Sequence, residues 1–374
     1  MGKSTSIVVH LLSNVSKSLA FEWIAENFAD SEIELQFILL NQTSSTPLSE
    51  ALSNQGIRVH FVYYSGKKNL PAAWLKVYFL LLKIKPMAVH THLFEASLVG
   101  LTTALLSGVS KRIVTRHHST YHHEYFPHAV KYDKLINFFA TKIVAISQNV
   151  YDVLVKRENV PPSKVSLIEH GFKLSSFKSV DEKKSLLLKV KHQIPEGKIV
   201  IATIARYFEL KGIEYTIRAF KRLAKKHSNL HLLLANARGI YKKEIHQELH
   251  QLEKGSYTEI EFEEDLVSLY SVIDYHVHVP INSNIEAFGQ TYVEALASKT
   301  PSIFTLSGIA KDFVKDGYNA LVVQPKIESE IYEAMDRYLS DETLRNTIAK
   351  NGIDSVQRFD IKFMTDKLKG IYIQ

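Results

Sequence analysis

The chain has 374 residues, 45% of them hydrophobic and none of them cysteine, with a formal net charge of +7. That length exceeds one ordinary domain and suits two, with apolar content enough for two cores. The missing cysteines exclude disulfides, thiolate zinc sites and cysteine nucleophiles, which fits a reducing, cytoplasmic setting. The positive excess is confined to one half. Residues 1–180 hold 19 Lys and Arg against 12 Asp and Glu, and the remainder balances at 27 of each. A basic half calls for an anionic partner, such as a membrane surface or a phosphorylated acceptor. No nucleic-acid recognition module accompanies it.

In chain order, Met1-Gly2-Lys3-Ser4-Thr5-Ser6 formally matches an acylation pattern and the end of a phosphate loop. The strand predicted to follow at once, Ser6–Leu12, leaves no free tether, and no upstream strand or second glycine completes the loop. Further strands are predicted at Ile33–Leu40, Ile57–Tyr63, Met87–Thr91, Arg112–Arg116 and Lys142–Ile146. Helical patterns lie between them at Ser18–Phe28, Ala72–Lys83 and Ala96–Leu106. The run Ala72–Leu82 is interrupted by Lys76 and closed by Lys83 and Lys85, short of the ~20 residues of a membrane span. It reads as a buried helix or as one lying on a membrane surface. A helix at Val150–Arg157, a break at Pro161-Pro162 and a strand at Val165–Ile168 end the first half. The Ser- and Lys-rich stretch Lys173–Lys184 reads as a linker.

The second half opens with a helix at Ser185–Lys191 and alternates again. Strands are predicted at Ile199–Ile204, Leu230–Ala235, Glu259–Phe262, Tyr275–Val279, Pro301–Thr305 and Ala320–Val323. Helices are predicted at Gly212–Lys226, Lys242–Leu252, Leu266–Val272, Gln290–Ala297, Glu328–Leu339, Asp341–Asn351 and Ile361–Ile373. Strand–helix alternation on this scale predicts α/β architecture, with parallel sheets covered by helices on both faces.

Two stretches carry chemistry. Arg206 and Lys211 follow the strand Ile199–Ile204 and precede Gly212 and a helix, where two loop cations can grip a diphosphate. Glu286-Ala-Phe288-Gly289-Gln290-Thr291 leads from a loop into the helix that carries Glu294. A helix starting at Gly289 offers free N–H groups and partial positive charge to a phosphate. Glu286 and Glu294 can accept hydrogen bonds from vicinal diols on a ligand lying across that start.

Glu, seven residues, Glu, with Phe-Gly after the first Glu, resembles the signature of the retaining glycosyltransferases of group 1, the family 4-like enzymes. Arg206, four residues, then Lys211-Gly212 is similar to a second motif of that family, in the expected order. The resemblance runs from about Val89 to Val323. It implies the GT-B fold: two Rossmann-like domains facing a cleft, an acceptor domain at 1–175 and a nucleotide-sugar domain at 186–357. Residues 358–374 would return to pack on the first. It implies a nucleotide diphosphate sugar as donor substrate, no metal cofactor, and a saccharide or lipid-linked acceptor. Arg206 and Lys211 would hold the diphosphate, Glu286 the sugar hydroxyls and Glu294 the ribose, with Phe288, Gly289, Gln290 and Thr291 around the donor.

A His at the end of the fifth strand lines the transfer site in similar enzymes. His117 stands in register, with His118 the next choice. His117, His118, His122 and His123 also suggest a metal site, but Glu124 is the only obvious carboxylate nearby, so the rest reads as a polar, mobile loop. His90-Thr91-His92, Ser147 and Gly171 read as structural or cleft-lining. Asn14 and Ser16 fall on the acceptor side, in a loop where the usual glycine-rich turn is replaced by Ser13–Ser18. Lys299 and Ala320 stand where the family commonly has glycine. No Gly-x-Gly-x-x-Gly fingerprint or Asp-x-Asp pair is present, which argues against a dehydrogenase and a metal-chelating transferase. The expected activity is retaining sugar transfer in surface polysaccharide, lipopolysaccharide or glycolipid synthesis, by a protein peripheral to the inner membrane face. The rivals are an epimerase or hydrolase on the same scaffold and a non-catalytic membrane-associated binding protein.

Overall fold

The computed structural model describes residues 6–178 and 181–373 of the chain. The Met1–Ser4 patterns lie outside the described residues. Two compact units emerge, Met1–Phe172 with Phe359–Gln374, and Lys173–Arg358.

The first unit is built on β1 (Ser6–Ser13), β2 (Ile33–Asn41), β3 (Arg58–Tyr63), β4 (Ala88–His92), β5 (Lys111–Arg116), β6 (Lys142–Ala145) and β7 (Val165–Leu167). They pair in parallel in the order β3-β2-β1-β4-β5-β6-β7. Its helices are α1 (Leu19–Phe28), α2 (Pro47–Asn54), α3 (Leu70–Ile84), α4 (Phe94–Leu106), α5 (Tyr121–Tyr125), α6 (Val130–Phe139) and α7 (Gln148–Asp152). Strands covered on both faces must be apolar along their length, and β1 and β2 are buried almost throughout.

The two faces differ in chemistry. On one, Val9, Leu11 and Val89 pack with Ala73, Val77 and Leu81 of α3 and Ala96 and Val99 of α4. On the other, His10 of β1 stands in register with His90 of β4, and His92 follows two residues on. The apolar run at Ala72–Leu82 is thus only half buried. Ala73, Val77 and Leu81 face the core at helical spacing, while Leu75 and Phe79 are exposed, Phe79 by 63%. The helix expected at Val150–Arg157 divides into α7 and one π-helical turn, Val153–Arg157. The Ser13–Ser18 turn keeps a left-handed residue without glycine, since Asn14 takes φ 55°. Asn tolerates that region better than most L-residues.

The second unit contains β8 (Ile199–Ile204), β9 (Leu230–Ala235), β10 (Tyr257–Ile260), β11 (Tyr275–His278), β12 (Ser302–Phe304) and β13 (Leu321–Val322). Their parallel order is β10-β9-β8-β11-β12-β13. Around them lie α8 (Glu182–Lys191), α9 (Ile213–Ala224), α10 (Lys242–Leu249), α11 (Leu266–Ser271), α12 (Gln290–Ala297), α13 (Ala310–Phe313), α14 (Glu328–Ser340) and α15 (Glu342–Ser355). The stretch expected as linker is partly structured. Leu174–Phe177 forms a 3₁₀ turn with Leu174 and Phe177 buried, and α8 starts three residues before Ser185. Asp181 explains the early start, because its carboxylate accepts from the Lys183 and Lys184 N–H groups.

The last helix, α16 (Ile361–Ile373), belongs to the first unit. Phe172 and Asp360 form a parallel bridge, and α16 packs on α1. Lys111 anchors its end by donating to the carbonyls of Tyr372 and Ile373 at 2.7 and 3.0 Å.

Lys299 closes α12 at φ 61°, with the Thr300 N–H donating to the Ala295 carbonyl at 3.0 Å. This is a helix stop that favours glycine. The left-handed conformation costs an L-residue about 1–2 kcal/mol, partly offset by the greater unfolded freedom of glycine. Lys299→Gly should therefore raise stability by roughly 0.5–1 kcal/mol, read as a higher urea midpoint with unchanged slope.

Candidate active site

In the second unit the sheet grows one way from β8 to β10 and the other way from β11 to β13. Loops leaving the carboxyl ends of β8 and β11 part at that switch point, where open α/β sheets take their ligands. The Ile281 N–H donates to the Leu210 carbonyl at 3.1 Å and ties the two loops together. Lys211 Nζ donates to Glu286 Oε1 at 2.6 Å, and His278 Nε2 lies 3.1 Å from the same oxygen. The Glu286 N–H donates to Ser307 Oγ at 3.2 Å. Burial opposes ionisation of Glu286, but the Lys211 ammonium and the His278 hydrogen bond outweigh it. They hold the carboxyl well below its usual range. His278 has its pKa lowered, because burial and the Lys211 charge together outweigh the pull of Glu286.

Lys211 is therefore no solvated loop cation. Arg206 is exposed, with its guanidinium 4.9 Å from the Phe208 ring centroid.

The backbone from Glu286 to α12 is fixed by two glycines. Gly289 takes φ 83°, and a Cβ there would meet the Tyr292 ring at 2.5 Å. Gly308, from the loop after β12, takes φ 55°, and its Cβ would meet the Phe288 carbonyl oxygen at 2.6 Å. The Ile309 N–H donates to that carbonyl at 2.9 Å. Phe288 is buried as the wedge, while Gln290 is exposed at the helix start. The Thr291 hydroxyl is buried there with no hydrogen-bond partner among the described residues.

Glu294 lies about one turn along α12, buried, and accepts from the Tyr270 hydroxyl at 3.2 Å. Burial raises its carboxyl to about 7, against the pull of Tyr270. Two carboxylates of one motif thus have opposite electrostatics. Glu286 is a fixed anion, and Glu294 is near its midpoint at neutral pH.

In the first unit, His117 follows β5, and its Nε2 lies 3.1 Å from His92 Nδ1. The segment after it is not a mobile loop. It forms α5, and its histidines are tied to carboxylates distant in sequence. Asp133 Oδ2 lies 3.2 Å from His118 Nε2 and 2.7 Å from His122 Nδ1. Glu158 accepts from Arg116 at 2.9 and 2.8 Å and lies 3.4 Å from His123. His118, His122 and Asp133 form a donor set of metal-binding dimensions, as do His10, His90 and His92. At the first set, Arg116 Nη1 stands 3.1 Å from His118 Nε2 and 3.6 Å from Asp133, where its charge opposes a dication. Asn14 and Ser16 are exposed on the turn after β1, and the Asn41 side chain clamps Val15 between them at 3.1 and 2.9 Å.

Residues 186–355 match the family Glycosyl transferases group 1, and residues 24–176 match Glycosyltransferase Family 4. The chain belongs to this glycosyltransferase family. The enzyme is 26% identical to the capsular polysaccharide biosynthesis glycosyltransferase CapM of Staphylococcus aureus, over 80% of this chain and 79% of that one. It is 25% identical to the D-inositol 3-phosphate glycosyltransferase of Corynebacterium kroppenstedtii, over 62% of this chain and 53% of that one. Its fold is GT-B. The crystal structure of Anabaena HepE in complex with UDP and glucose superposes with a TM-score of 0.83 at 19% identity, covering 97% of this chain and 98% of that chain. WaaG, a glycosyltransferase involved in lipopolysaccharide biosynthesis, superposes with a TM-score of 0.74 at 13% identity, covering 98% and 99%.

Within the second unit of this glycosyltransferase, Lys211 and Glu286 meet directly. The residues that sequence reasoning missed are supports: His278, Ser307 and Gly308 at Glu286, Tyr270 at Glu294 and, in the first unit, Asp133 and Glu158 at the histidines after β5. Only His278 carried a local signal, as a buried-strand histidine eight residues before Glu286.

The Glu294 carboxyl generates a pH prediction. Its folded pKa is raised, so its contribution to stability is fully present below about 4.5 and is lost as pH rises through about 7. That rise corresponds to roughly 3 kcal/mol. Glu294→Gln should unfold at a higher temperature than the parent at pH 8 and match it near pH 4.5. Equal melting at both pH values would remove the buried-carboxyl cost.

Proposed function

We propose that this glycosyltransferase moves a sugar from a nucleoside diphosphate donor to an acceptor hydroxyl with retention and without a metal ion. The Lys211–Glu286–His278 cluster beside the α12 terminus carries the reading. A carboxylate held ionised there can accept two sugar hydroxyls, and the cation beside it meets the charge of the departing diphosphate. HepE, whose crystal structure contains UDP and glucose, makes UDP-glucose the first donor to try.

In this reaction the bond from the anomeric carbon to the diphosphate oxygen breaks. The bond to the acceptor oxygen forms on the same face, and the acceptor proton passes to the departing phosphate. Arg206, Lys211 and the free N–H groups at the start of α12 stabilise that leaving charge, and such preorganised charge usually supplies the largest part of the barrier reduction. Phe288 and Gly289 hold the backbone in place for it, with Gln290 and the unpartnered Thr291 hydroxyl as polar contacts. Glu294 in its ionised form accepts from the ribose. His117 serves the sugar or the acceptor, with Asn14, Ser16 and His118 on the acceptor side.

Arg206 and Lys211 should behave differently. Arg206→Ala should cut turnover about a hundredfold or more and leave unfolding unchanged, since nothing buried depends on it. Lys211→Ala should cut turnover and also stability, because it strands the buried Glu286 carboxylate. Unfolding and donor-turnover assays on both variants check this. Full turnover by either would remove it from the diphosphate site.

The acceptor is proposed to be lipid-linked or a surface saccharide, presented at an anionic membrane. CapM and WaaG act in capsular polysaccharide and lipopolysaccharide synthesis respectively. Among the described residues no helix is long and apolar enough to cross a membrane. Leu75, Phe79 and Leu82 nevertheless stand exposed on α3, whose flanks carry Lys67, Lys68, Lys83 and Lys85. Lysines near an anionic surface contribute about 1 kcal/mol each. Co-sedimentation should show binding to anionic vesicles, none to neutral ones, and release by salt. Phe79→Ser with Lys83→Glu should abolish it while donor affinity holds. Equal, negligible binding to both vesicle types would point to a soluble acceptor.

A further inference from the structure

The polar face of the first sheet carries an unbroken hydrogen-bonded chain. Thr115 Oγ1 lies 2.7 Å from His90 Nε2, and His90 Nδ1 lies 2.7 Å from the Tyr372 hydroxyl. That hydroxyl is 3.1 Å from His10 Nε2. His10 Nδ1 is 3.1 Å from His92 Nε2, and His92 Nδ1 is 3.1 Å from His117 Nε2. The interior members are fully buried. Burial brings His10 down to about 3, and burial with mutual repulsion holds His90 and His92 well below their usual value. The rings are therefore neutral, each with one N–H and one bare nitrogen.

Neutral rings joined end to end must point the same way, or two protons or two lone pairs would face each other. The Tyr372 hydroxyl could accept from both of its rings only with its own proton buried and unpaired, so it too donates once and accepts once. The Thr115 end sets the direction. Its hydroxyl is buried, and His90 Nε2 is its partner among the described residues. If Thr115 accepted, its own proton would be buried without an acceptor, which costs about 1–3 kcal/mol. So Thr115 donates to His90 Nε2, His90 Nδ1–H to Tyr372, Tyr372 to His10 Nε2, His10 Nδ1–H to His92 Nε2, and His92 Nδ1–H to His117 Nε2.

We propose that this relay locks His117 as its Nδ1–H tautomer, the minor form of free histidine, and that Tyr372 on the last helix is a positioning residue for it. The Nδ1–H of His117 has no partner among the described residues and is left to donate to a ligand oxygen. The consequence for turnover rests on the proposed role of His117; the tautomer itself does not.

The test is nitrogen-15 NMR of histidine-labelled protein, with elemental analysis of the same sample. The expected spectrum has His10, His90, His92 and His117 all protonated at Nδ1. Tyr372→Phe keeps the ring and removes one hydroxyl, so His117 should gain a clear Nε2–H population. Thr115→Val should disturb His90 in the same way, and Thr115→Ser should restore the parent spectrum, which holds the test open if the tyrosine variant folds poorly. An Nε2–H His117 in the parent, or no change in Tyr372→Phe, overturns the relay. So does one equivalent of bound zinc, because a metal on these rings replaces the protons. With the tautomer shifted, kcat should fall several-fold at unchanged donor KM. A shifted tautomer with full turnover would leave the relay standing and remove His117 from the chemistry.

Discussion

A carboxylate cannot be buried alone, and the candidate site of the second unit is arranged around that constraint at Glu286. Burial disfavours its charge, so the fold brings Lys211 from the preceding strand–helix loop and His278 from the strand beneath to the same oxygen. The loops that supply these groups leave neighbouring strands, β8 and β11, on either side of the switch in strand order. Ser307 and Gly308 then fix the backbone from a third loop. With the ion pair formed, α12 starts at one place, and Glu294 follows about one turn on, where no cation among the described residues acts on it. Among the described residues its aid is the Tyr270 hydroxyl, so the same side-chain type stays close to neutrality. Environment, not residue identity, sets the ionisation of the two carboxylates apart.

The fold was legible because parallel α/β sheets write themselves plainly. Strands covered on both faces are apolar runs, and the helices between them carry helical spacing. Ile199–Ile204, Leu230–Ala235, Gln290–Ala297 and Ile361–Ile373 match their predicted spans, and most other predicted elements differ by a residue or two. The misreadings have local causes. Ser and Lys enrichment made residues 173–184 look like a linker, but Asp181 caps a helix there and Leu174 and Phe177 are buried. Asn14 and Lys299 take left-handed conformations that glycine would ordinarily mark.

The candidate site was half legible. Motif spacing marked Arg206, Lys211, Glu286 and Glu294, because those lie in two short segments of fixed length. The groups that tune them come from afar in sequence. Ser307 lies 21 residues from Glu286, and Tyr270 lies 24 from Glu294. Glu158, tied to Arg116, lies 42 residues beyond it. His118 and His122 looked like a metal loop without a carboxylate until α6 brought Asp133 to both.

The polar face of the first sheet shows what burying imidazoles requires. Each neutral ring inside the fold needs a partner at both nitrogens, or it bears the cost of an orphaned group. Neither β1 nor β4 can supply all of these from its own backbone, since ladder hydrogen bonds already use those groups. Tyr372 closes the set by serving His10 and His90 with one hydroxyl, and Lys111 pins the helix end that carries it. The last helix is therefore more than a lid on apolar surface. It completes a polar layer whose other end is His117, so the order of that residue depends on the final turn of the chain.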